Sequence, residues 1–365
     1  MIGVYLHIPF CKKICPYCDF VKRTLKGADA DAFVEALCRE IATYEGPTRA
    51  GSISFGGGTP SMLTPPQFTR ILATLRGRFD FIDPEVSIEA NPDDITTENL
   101  AAWRDLGINR LSLGVQSFDD EALRHLGRAH DAAQARRACE AVSESFANWS
   151  LDLMFGVRPF DRWEQTLRCA AEIAPPHLSS YGLTYEPKTR FAKLADQAID
   201  DEEYVAQFWR VEERLPHLRR YEVSNLARPG HESRHNLLYW RNEAYAGFGP
   251  GAYSFIDGVR ARNLSKYRAY LETPGAKEEA LHLRLDEVKV ETAIQALRLA
   301  EGLDKTRYAS RFGCEVEADF GPQLRELVAR GLIEEDTQAI RPTRKGFELN
   351  NEIGLALVEG KSAKA

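Results

Sequence analysis

Short apolar runs alternate with longer amphipathic stretches over the first half of the chain. Such runs, bounded by turn residues, are typical of buried strands, and they predict strands at residues 4–8, 53–55, 86–90, 110–115, 150–155 and 178–183. Apolar residues at helical spacing predict the intervening helices at residues 29–45, 65–78, 96–106, 119–126, 131–145 and 163–174. Alternating strands and helices form parallel βαβ units, so this half predicts an α/β fold, either an open sheet or a barrel.

The pattern changes in the second half. A helix at residues 203–215 precedes a turn-rich stretch, and the pattern breaks near residues 273–277. The remaining elements read as three helices and a hairpin, at residues 285–299, 305–312, 319–330, 332–334 and 339–341. This order predicts a small winged-helix-like domain, and we expect domains at residues 1–270 and 280–365. The segment lacks a strong basic stripe, so we interpret it as a structural or docking domain.

Charge and hydropathy exclude some classes of protein. The net charge of −7 argues against a general nucleic-acid binder. No apolar run approaches the roughly 20 residues that cross a bilayer, so no transmembrane segment is expected. The N-terminal residues lack the basic start and cleavage site of a secretory signal. We therefore expect a cytoplasmic protein.

Three of the seven cysteines lie close together, at Cys11, Cys15 and Cys18. Their CxxxCxxC spacing suits an iron–sulfur cluster, which is normally held by four thiolates. No fourth cysteine lies within reach in the sequence, so one iron would stay open to a non-protein ligand. A zinc site and a redox dithiol at Cys15 and Cys18 are the alternatives, although structural zinc prefers four ligands. The remaining cysteines are interpreted as small core residues: Cys38, Cys139, Cys169 and Cys314.

Polar and glycine-rich residues follow several of the predicted strands. A triple glycine that ends at Gly58 and is followed by Thr59 comes after one strand, and Glu89 and Gln116 lie at the ends of others. The carboxyl ends of parallel strands meet at one edge, where α/β folds place their ligands. Each residue alone could be an ordinary turn or surface charge, but together they predict one ligand lying across this edge.

The run from Tyr5 to Cys11, continued by Cys15 and Cys18-Asp-Phe20, resembles radical S-adenosylmethionine (SAM) proteins of the oxygen-independent coproporphyrinogen III oxidase group. The resemblance covers nearly the whole chain. It implies a partial parallel (β/α)6-type radical SAM barrel with the winged-helix-like domain after it. It also implies a [4Fe–4S] cluster on the three cysteines, with SAM bound to the open iron.

The resemblance also assigns SAM contacts to residues of this chain. Backbone groups of the triple-glycine motif would bind the methionine ammonium, and an arginine would meet a carboxylate, which its fork geometry suits. The tyrosines would flank the cluster and the adenosine. The implied SAM-binding residues are Tyr5, Tyr17, Gly58, Thr59, Glu89, Gln116, Arg128 and Asp152.

Two features resemble the heme chaperones of this group more than the oxidases. Phe20 stands where the oxidases commonly carry a further cysteine, and residues 235–240 match an HNxxYW pattern of the chaperones. His235 and Tyr239 are then the implied heme ligands, since imidazole is a common axial ligand and phenol a less common one. The alternative is that this segment only folds against the barrel, with His235 as a hydrogen-bonded anchor.

The expected function is therefore a heme chaperone that transfers heme to an acceptor protein, with coproporphyrinogen oxidase activity not expected. A radical SAM oxidase of tetrapyrroles is the second reading, and a zinc-binding winged-helix regulator is the third. Heme is the expected ligand, a respiratory protein is a candidate acceptor, and transient membrane association stays open. Two positions depart from the family pattern. The chain reads Gly156-Val157-Arg158-Pro159 where relatives commonly have a Gly-Leu-Pro turn, and Tyr253 stands where they usually have histidine.

Overall fold

The computed structural model describes residues 1–27, 29–160 and 162–362. Its strands, in chain order, are β1 (Ile2–Ile8), β2 (Phe10–Cys11), β3 (Arg23–Thr24), β4 (Arg49–Gly57), β5 (Asp80–Ala90), β6 (Arg110–Gln116), β7 (Trp149–Phe155), β8 (His177–Gly182), β9 (Arg219–Arg220), β10 (Asn225–Ala227), β11 (Tyr245–Phe248), β12 (Tyr253–Ile256), β13 (Val259–Asn263), β14 (Lys277–His282), β15 (Leu303–Asp304), β16 (Ile333–Glu335) and β17 (Ala339–Pro342).

The α-helices are α1 (Asp29–Ala42), α2 (Pro65–Arg78), α3 (Thr97–Asp105), α4 (Asp120–His125), α5 (Ala132–Ser145), α6 (Trp163–Ile173), α7 (Asp201–Arg214), α8 (Arg234–Trp240), α9 (Tyr267–Glu272), α10 (Leu285–Ala296), α11 (Lys305–Phe312), α12 (Val316–Ala329), α13 (Arg344–Glu348) and α14 (Asn350–Ser362). Short 3-10 helices occupy Pro60–Met62, Pro92–Asp94 and Arg190–Gln197. The helices expected from the apolar pattern are all present, and their ends differ from expectation by a few residues.

The main sheet has twelve strands in the order β14-β13-β12-β11-β1-β4-β5-β6-β7-β8-β10-β9. The six strands expected from the sequence are adjacent and parallel, from β1 to β8, with the short β2–β3 pair outside the sheet. A seventh parallel strand, β11, pairs with the other side of β1 and was not expected. Antiparallel strands flank this parallel centre on both sides. The order confirms an α/β sheet with a parallel, partial-barrel centre.

The helices cover the parallel strands through apolar faces. On α2, the predicted stripe of Phe68, Ile71, Leu72 and Leu75 is buried, and Phe68 meets Phe55 of β4 edge to face at 5.2 Å between ring centroids. A capping box starts this helix, because the backbone N–H of Thr64 donates to the Gln67 side chain. Packing of this kind holds the strands rigidly and so fixes the position of the loops at their carboxyl ends.

The C-terminal segment has its own apolar core. Helices α10–α12 and α14 pack with the three-stranded sheet β15-β17-β16, in keeping with the expected helices and hairpin. Strand β15 and helices α13 and α14 were not expected. Because β14 extends the main sheet to His282, we propose that the domain boundary follows this strand. The Trp209 indole N–H donates to Glu348 at 2.7 Å and joins the two parts.

Three of the four isolated cysteines, Cys38, Cys139 and Cys169, are buried as expected. Cys314 is only partly buried, and its sulfur contacts the Lys289 ammonium at 3.2 Å and the Asp319 carboxylate at 3.1 Å. Cys314 therefore packs against the C-terminal core, but it is not buried within it as expected and it has polar neighbours. Within the described ranges, none of the helices has the length and apolar character needed to span a membrane.

Candidate functional site

The cysteine loop begins where β1 and β2 end. Pairing of Cys11 with Thr24 across β2 and β3 joins the two ends of the loop. Within it, the Cys18 N–H donates to the Cys15 carbonyl at 3.3 Å, forming a turn that brings these two residues together. Burial raises the pKa of Cys11 to about 11, against a hydrogen bond with Thr59, and the Cys18 and Cys15 thiols add to this rise. The three sulfurs therefore lie in one neighbourhood.

The three thiols fit an iron–sulfur cluster by their chemistry. Among the described residues, no set of three or more His, Cys, Asp or Glu side chains converges on the position of a single metal ion. A [4Fe–4S] cluster does not require such convergence, because each thiolate binds a different iron. Cys11 is buried at the base of the loop, whereas Cys15 and Cys18 remain partly exposed. This donor set would leave one iron without a protein thiolate.

Contacts outside the loop hold it against the sheet. The Lys12 ammonium pairs with the Asp93 carboxylate at 3.0 Å and also contacts Asp94. The Phe191 N–H donates to the Pro16 carbonyl at 3.1 Å, and the Tyr17 ring lies 6.3 Å from that of Phe191. The predicted site residue Tyr17, which lies in the loop between Cys15 and Cys18, therefore packs against Phe191.

The triple glycine lies directly against the base of the cysteine loop. The Gly58 N–H donates to the Ile8 carbonyl at 2.8 Å. A Cβ atom on Gly58 would lie 2.6 Å from the Phe10 carbonyl oxygen, so a larger residue would push the loop away. Gly57 has φ +111°, a conformation that favours glycine, and its N–H donates to Glu89 at 3.2 Å. Glycine here permits the close approach of two backbones and orients Glu89.

The Glu89 side chain is exposed to solvent and that of Asp152 is partly exposed, although protein atoms lie closely around both. The Glu89 carboxylate lies beside Tyr5 and Gly56, because a Cβ on Gly56 would approach both within about 3 Å. Burial, and to a smaller extent the charge of Asp152, raises the pKa of Glu89 to about 7. Two acids that share one enclosed space favour a cationic ligand between them.

Asp152 is held by hydroxyl groups that sequence reasoning missed. Ser112 of β6 donates to it at 2.7 Å, and Ser150 of β7 donates at 2.8 Å. Burial raises the pKa of Asp152, and these hydrogen bonds oppose the rise. The Ser150 hydroxyl also bonds His177, whose other nitrogen bonds Tyr221 at 2.9 Å. Serines on neighbouring parallel strands were the available signal, but their register was not readable from the sequence.

Arg128 reaches into the same region from the turn after α4. Its guanidinium donates to the Gly114 carbonyl at 2.6 Å, to the Asn91 side chain, and toward the Cys15 sulfur at 3.6 Å. Asn91 also donates to the Thr59 hydroxyl at 3.2 Å, so it connects two predicted site residues. Sequence reasoning overlooked Asn91, although it directly follows the strand that carries Glu89.

Gln116 ends β6 with φ +72°, an unusual conformation for a residue with a side chain. Its side-chain oxygen accepts a hydrogen bond from the Tyr181 hydroxyl at 2.7 Å. The strand end is thereby turned toward β8. Of the predicted SAM-binding residues, Gly58, Thr59, Glu89 and Gln116 lie at the carboxyl ends of parallel strands, whereas Tyr5 and Asp152 lie within β1 and β7. Tyr17 and Arg128 lie on loops, and Arg128 reaches the Cys15 sulfur.

His235 and Tyr239 lie on α8, near the amino ends of β1 and β4, and the centre of the His235 ring lies 6.4 Å from that of the Tyr5 ring. The Tyr239 hydroxyl bonds one ring nitrogen of His235 at 2.8 Å, and the Ser52 hydroxyl bonds the other at 2.8 Å. His235 is 2% exposed, and burial lowers its pKa to about 4. Heme ligation by His235 stays a prediction that requires one of these bonds to open. The alternative, in which His235 is a hydrogen-bonded anchor that holds this segment against the barrel, fits the observed conformation.

Trp240 and Tyr253 have different surroundings. The Arg298 guanidinium lies 4.4 Å from the centre of the Trp240 ring, so Trp240 attaches α8 to the C-terminal segment. Tyr253 is 43% exposed, and the Arg262 guanidinium lies 5.3 Å from its ring centre. The departure at Tyr253 therefore places an accessible phenol beside a cation.

Comparison with known proteins agrees with this geometry. The model described as "Radical SAM superfamily" matches residues 5–170, and the model described as "HemN C-terminal domain" matches residues 283–349. "Heme chaperone HemW" of Bacillus subtilis is 34% identical, with 97% of this chain and 98% of that protein covered. "Heme chaperone HemW" of Escherichia coli is 33% identical, with 98% of both chains covered.

A solved structure supports the same family relationship. Coproporphyrinogen III oxidase (HemN) from Escherichia coli, described as a radical SAM enzyme, has a TM-score of 0.80 and 26% sequence identity. The match covers 98% of this chain and 89% of that protein. Similarity of sequence and of fold thus extends over nearly all of the molecule, and the chain belongs to the HemW family of radical SAM proteins.

Proposed function

We propose that this protein is a heme chaperone, which binds heme and transfers it to an acceptor protein while carrying a SAM-ligated [4Fe–4S] cluster. The observation that carries the proposal is similarity over nearly the full length to relatives named heme chaperones. The side chain after Cys18-Asp19 adds support. Phe20 occupies the position of a further thiol, and at 69% exposure it presents an apolar ring outward.

Cys11, Cys15 and Cys18 would hold the cluster, and residues around Glu89 and Asp152 would hold SAM. When bound and reduced, the cluster can supply the electron that cleaves SAM to a 5′-deoxyadenosyl radical. Glu89 and the glycine backbone would orient the methionine ammonium, and Arg128 would meet a carboxylate. Tyr5 and Tyr17 would enclose the ligand, together with Gln116 and Asp152.

The proposal is tested on protein prepared and reconstituted without oxygen. Iron, acid-labile sulfide and heme are counted, and transfer of bound heme to apo-acceptor candidates, including respiratory proteins, is followed by absorbance. We expect about four irons per chain and stoichiometric heme uptake. Protein that carries the cluster but takes up no heme would contradict the chaperone assignment.

A tetrapyrrole oxidase is the second candidate, because the full-length structural match is to coproporphyrinogen III oxidase. Reconstituted protein is incubated anaerobically with coproporphyrinogen III, SAM and a reductant. We expect no decarboxylated product, since Phe20 replaces the additional thiol. Formation of that product would favour the oxidase over the chaperone.

The Glu89 carboxyl is expected to make SAM binding depend on pH near neutrality. Below its raised pKa of about 7, Glu89 is mostly neutral and offers the SAM ammonium no charge. Affinity is therefore expected to rise with pH, by at most about tenfold per unit. Calorimetric titration at several pH values measures this slope. Glu89→Gln cannot ionise, so it is expected to bind more weakly and with a flatter profile; an unchanged slope would exclude Glu89 as its source.

A cytoplasmic location and transfer to a membrane-associated acceptor are also part of the proposal. Transient contact with the membrane would suit a respiratory acceptor. Cell fractionation combined with cross-linking tests both statements. Capture of heme-loaded protein in the membrane fraction, together with a heme-requiring protein, is the expected result.

A further inference from the structure

Tyr253 and Arg262 lie on strands that follow β11 in the main sheet. Tyr5 of β1 pairs with Gly247 of β11, and a Cβ atom on Gly247 would overlap the Tyr253 carbonyl oxygen, so the Tyr253 backbone lies directly against Gly247. Tyr253 in turn pairs with Arg262 of β13. Paired residues on adjacent strands present their side chains to the same face. Tyr253 and Arg262 therefore share one face of the β12–β13 pair, and this pair lies beside the strand that neighbours Tyr5.

The cysteine loop ends beside this pair of strands. The Val21 carbonyl accepts a hydrogen bond from the His7 ring at 2.6 Å, and the Val21 side chain lies 2.8 Å from where a Cβ on Gly251 would be. Val21 therefore packs against Gly251, two residues before Tyr253, and Phe20 directly precedes Val21 in the chain. At 69% and 43% exposure, Phe20 and Tyr253 both present aromatic surface to solvent.

Arg262 supplies a cation beside the Tyr253 ring. Its guanidinium lies 5.3 Å from the centre of that ring, and its Nε atom is buried without a hydrogen-bond partner. Glu279 is paired with Arg262 across β13 and β14, and the pKa of nearby Glu278 is lowered mainly by its hydrogen bond with Ser265 and also by the Arg262 charge. Over the described ranges, no carboxylate lies within the 4.0 Å of an ion pair with Arg262, so its Nε–H remains available to a bound carboxylate.

We infer that the Phe20–Tyr253–Arg262 surface holds the heme, with the Tyr253 oxygen as ligand of the ferric iron and Arg262 as partner of a propionate. The inference rests on the proposed chaperone function and assigns its binding site. Heme combines a flat apolar ring, a Lewis-acidic iron and two carboxylates, which match the ring of Phe20, the phenol and the guanidinium. Ligation forms an Fe–O bond and releases the phenol proton to water, with no change of oxidation state.

The Phe20–Tyr253–Arg262 surface differs from α8 in how easily heme can reach the ligand side chain. Both ring nitrogens of His235 are already hydrogen bonded, and the side chain is 2% exposed, so heme would have to displace a partner and enter the fold. Tyr253 needs no such opening. An exposed site also suits transfer, because an acceptor can approach heme without unfolding the carrier.

The test compares Tyr253→Phe, Arg262→Gln and His235→Ala with the parent, all reconstituted without oxygen and titrated with ferric heme. Tyr204→Phe is the matched control, because Tyr204 is also 43% exposed but lies on α7. Tyr253→Phe is expected to lose the phenolate-to-iron charge-transfer band and its resonance Raman signature. Arg262→Gln is expected to weaken binding by about tenfold or more, as loss of a charged hydrogen bond does. Tyr204→Phe and His235→Ala are expected to keep the parent spectrum.

Iron and sulfide content, with Tm, verifies that each variant is folded and carries its cluster. A parent protein that takes up no heme would overturn the proposed function and this inference together. A parent that binds heme, with Tyr253→Phe and Arg262→Gln unchanged in spectrum and affinity, would overturn only the site assignment. Loss of the parent spectrum in His235→Ala alone would return the site to α8.

Discussion

Cys15→Ala is expected to remove nearly all cluster iron and acid-labile sulfide from anaerobically reconstituted protein, and Cys11→Ala and Cys18→Ala are expected to do the same. Each thiolate holds a separate iron, so a variant with two cysteines leaves two irons without protein ligands. Iron and sulfide per chain, together with visible absorbance, measure the effect. SAM binding that depends on the open iron is expected to disappear as well.

Cys139→Ala is the matched control. Cys139 is fully buried in α5, away from the loop, and its substitution removes a sulfur without touching the site. It is expected to retain full cluster content, with a stability loss of about 1 kcal/mol from the small void. Full iron and sulfide in all three loop variants would contradict the ligand assignment. Zinc without sulfide in the parent would instead support the zinc alternative.

Gly58→Ala is expected to produce the second large effect, on both stability and cluster retention. A Cβ at Gly58 would lie 2.6 Å from the Phe10 carbonyl oxygen and 2.9 Å from the Pro9 carbonyl carbon, and these backbone atoms cannot rotate away. The base of the cysteine loop must therefore shift. We expect about 1–3 kcal/mol of destabilisation, as overpacking usually costs, and faster loss of iron during dilution. Chemical denaturation and timed iron release measure the two effects.

Gly77→Ala provides the opposite case in the same protein. Gly77 lies within α2, and a Cβ there would meet no atom within 4 Å. Alanine has the higher helix propensity, so this variant is expected to gain up to about 1 kcal/mol. Equal destabilisation by the two substitutions would show that loss of glycine, and not contact with the loop, is responsible.

The parallel centre of the sheet followed from local pattern. Apolar runs and helical periodicity depend on neighbouring residues, so the strands from β1 to β8 and the helix stripe on α2 were accessible to sequence reasoning. Strand β11 was missed because its four residues, Tyr245–Phe248, precede a glycine-rich turn and carry little periodic signal. Its pairing with β1, more than 200 residues away in sequence, has no local signature.

The candidate site likewise contains residues that the sequence predicted and residues that only the fold revealed. The cysteine spacing and triple glycine are compact motifs, and their chemistry is written in adjacent residues. Asn91, Ser112 and Ser150 were missed because their roles depend on which strands are neighbours and in what register. The change of Cys314 from an expected core residue to a partner of Asp319 has the same origin, since α12 brings that carboxylate within reach.

Spacing and periodicity along the chain were enough to indicate three clustered thiols and an α/β scaffold, and the run from Tyr5 to Phe20 carried the resemblance to radical SAM proteins, because these features arise between residues close in sequence. The hydrogen bonds that occupy His235, the Ser112 hydroxyl on Asp152 and the pairing of Tyr253 with Arg262 depended on folding. The first two join strands or helices whose separation in the chain is far greater than their separation in space. Only packing and sheet register determine which of these side chains ligands can reach.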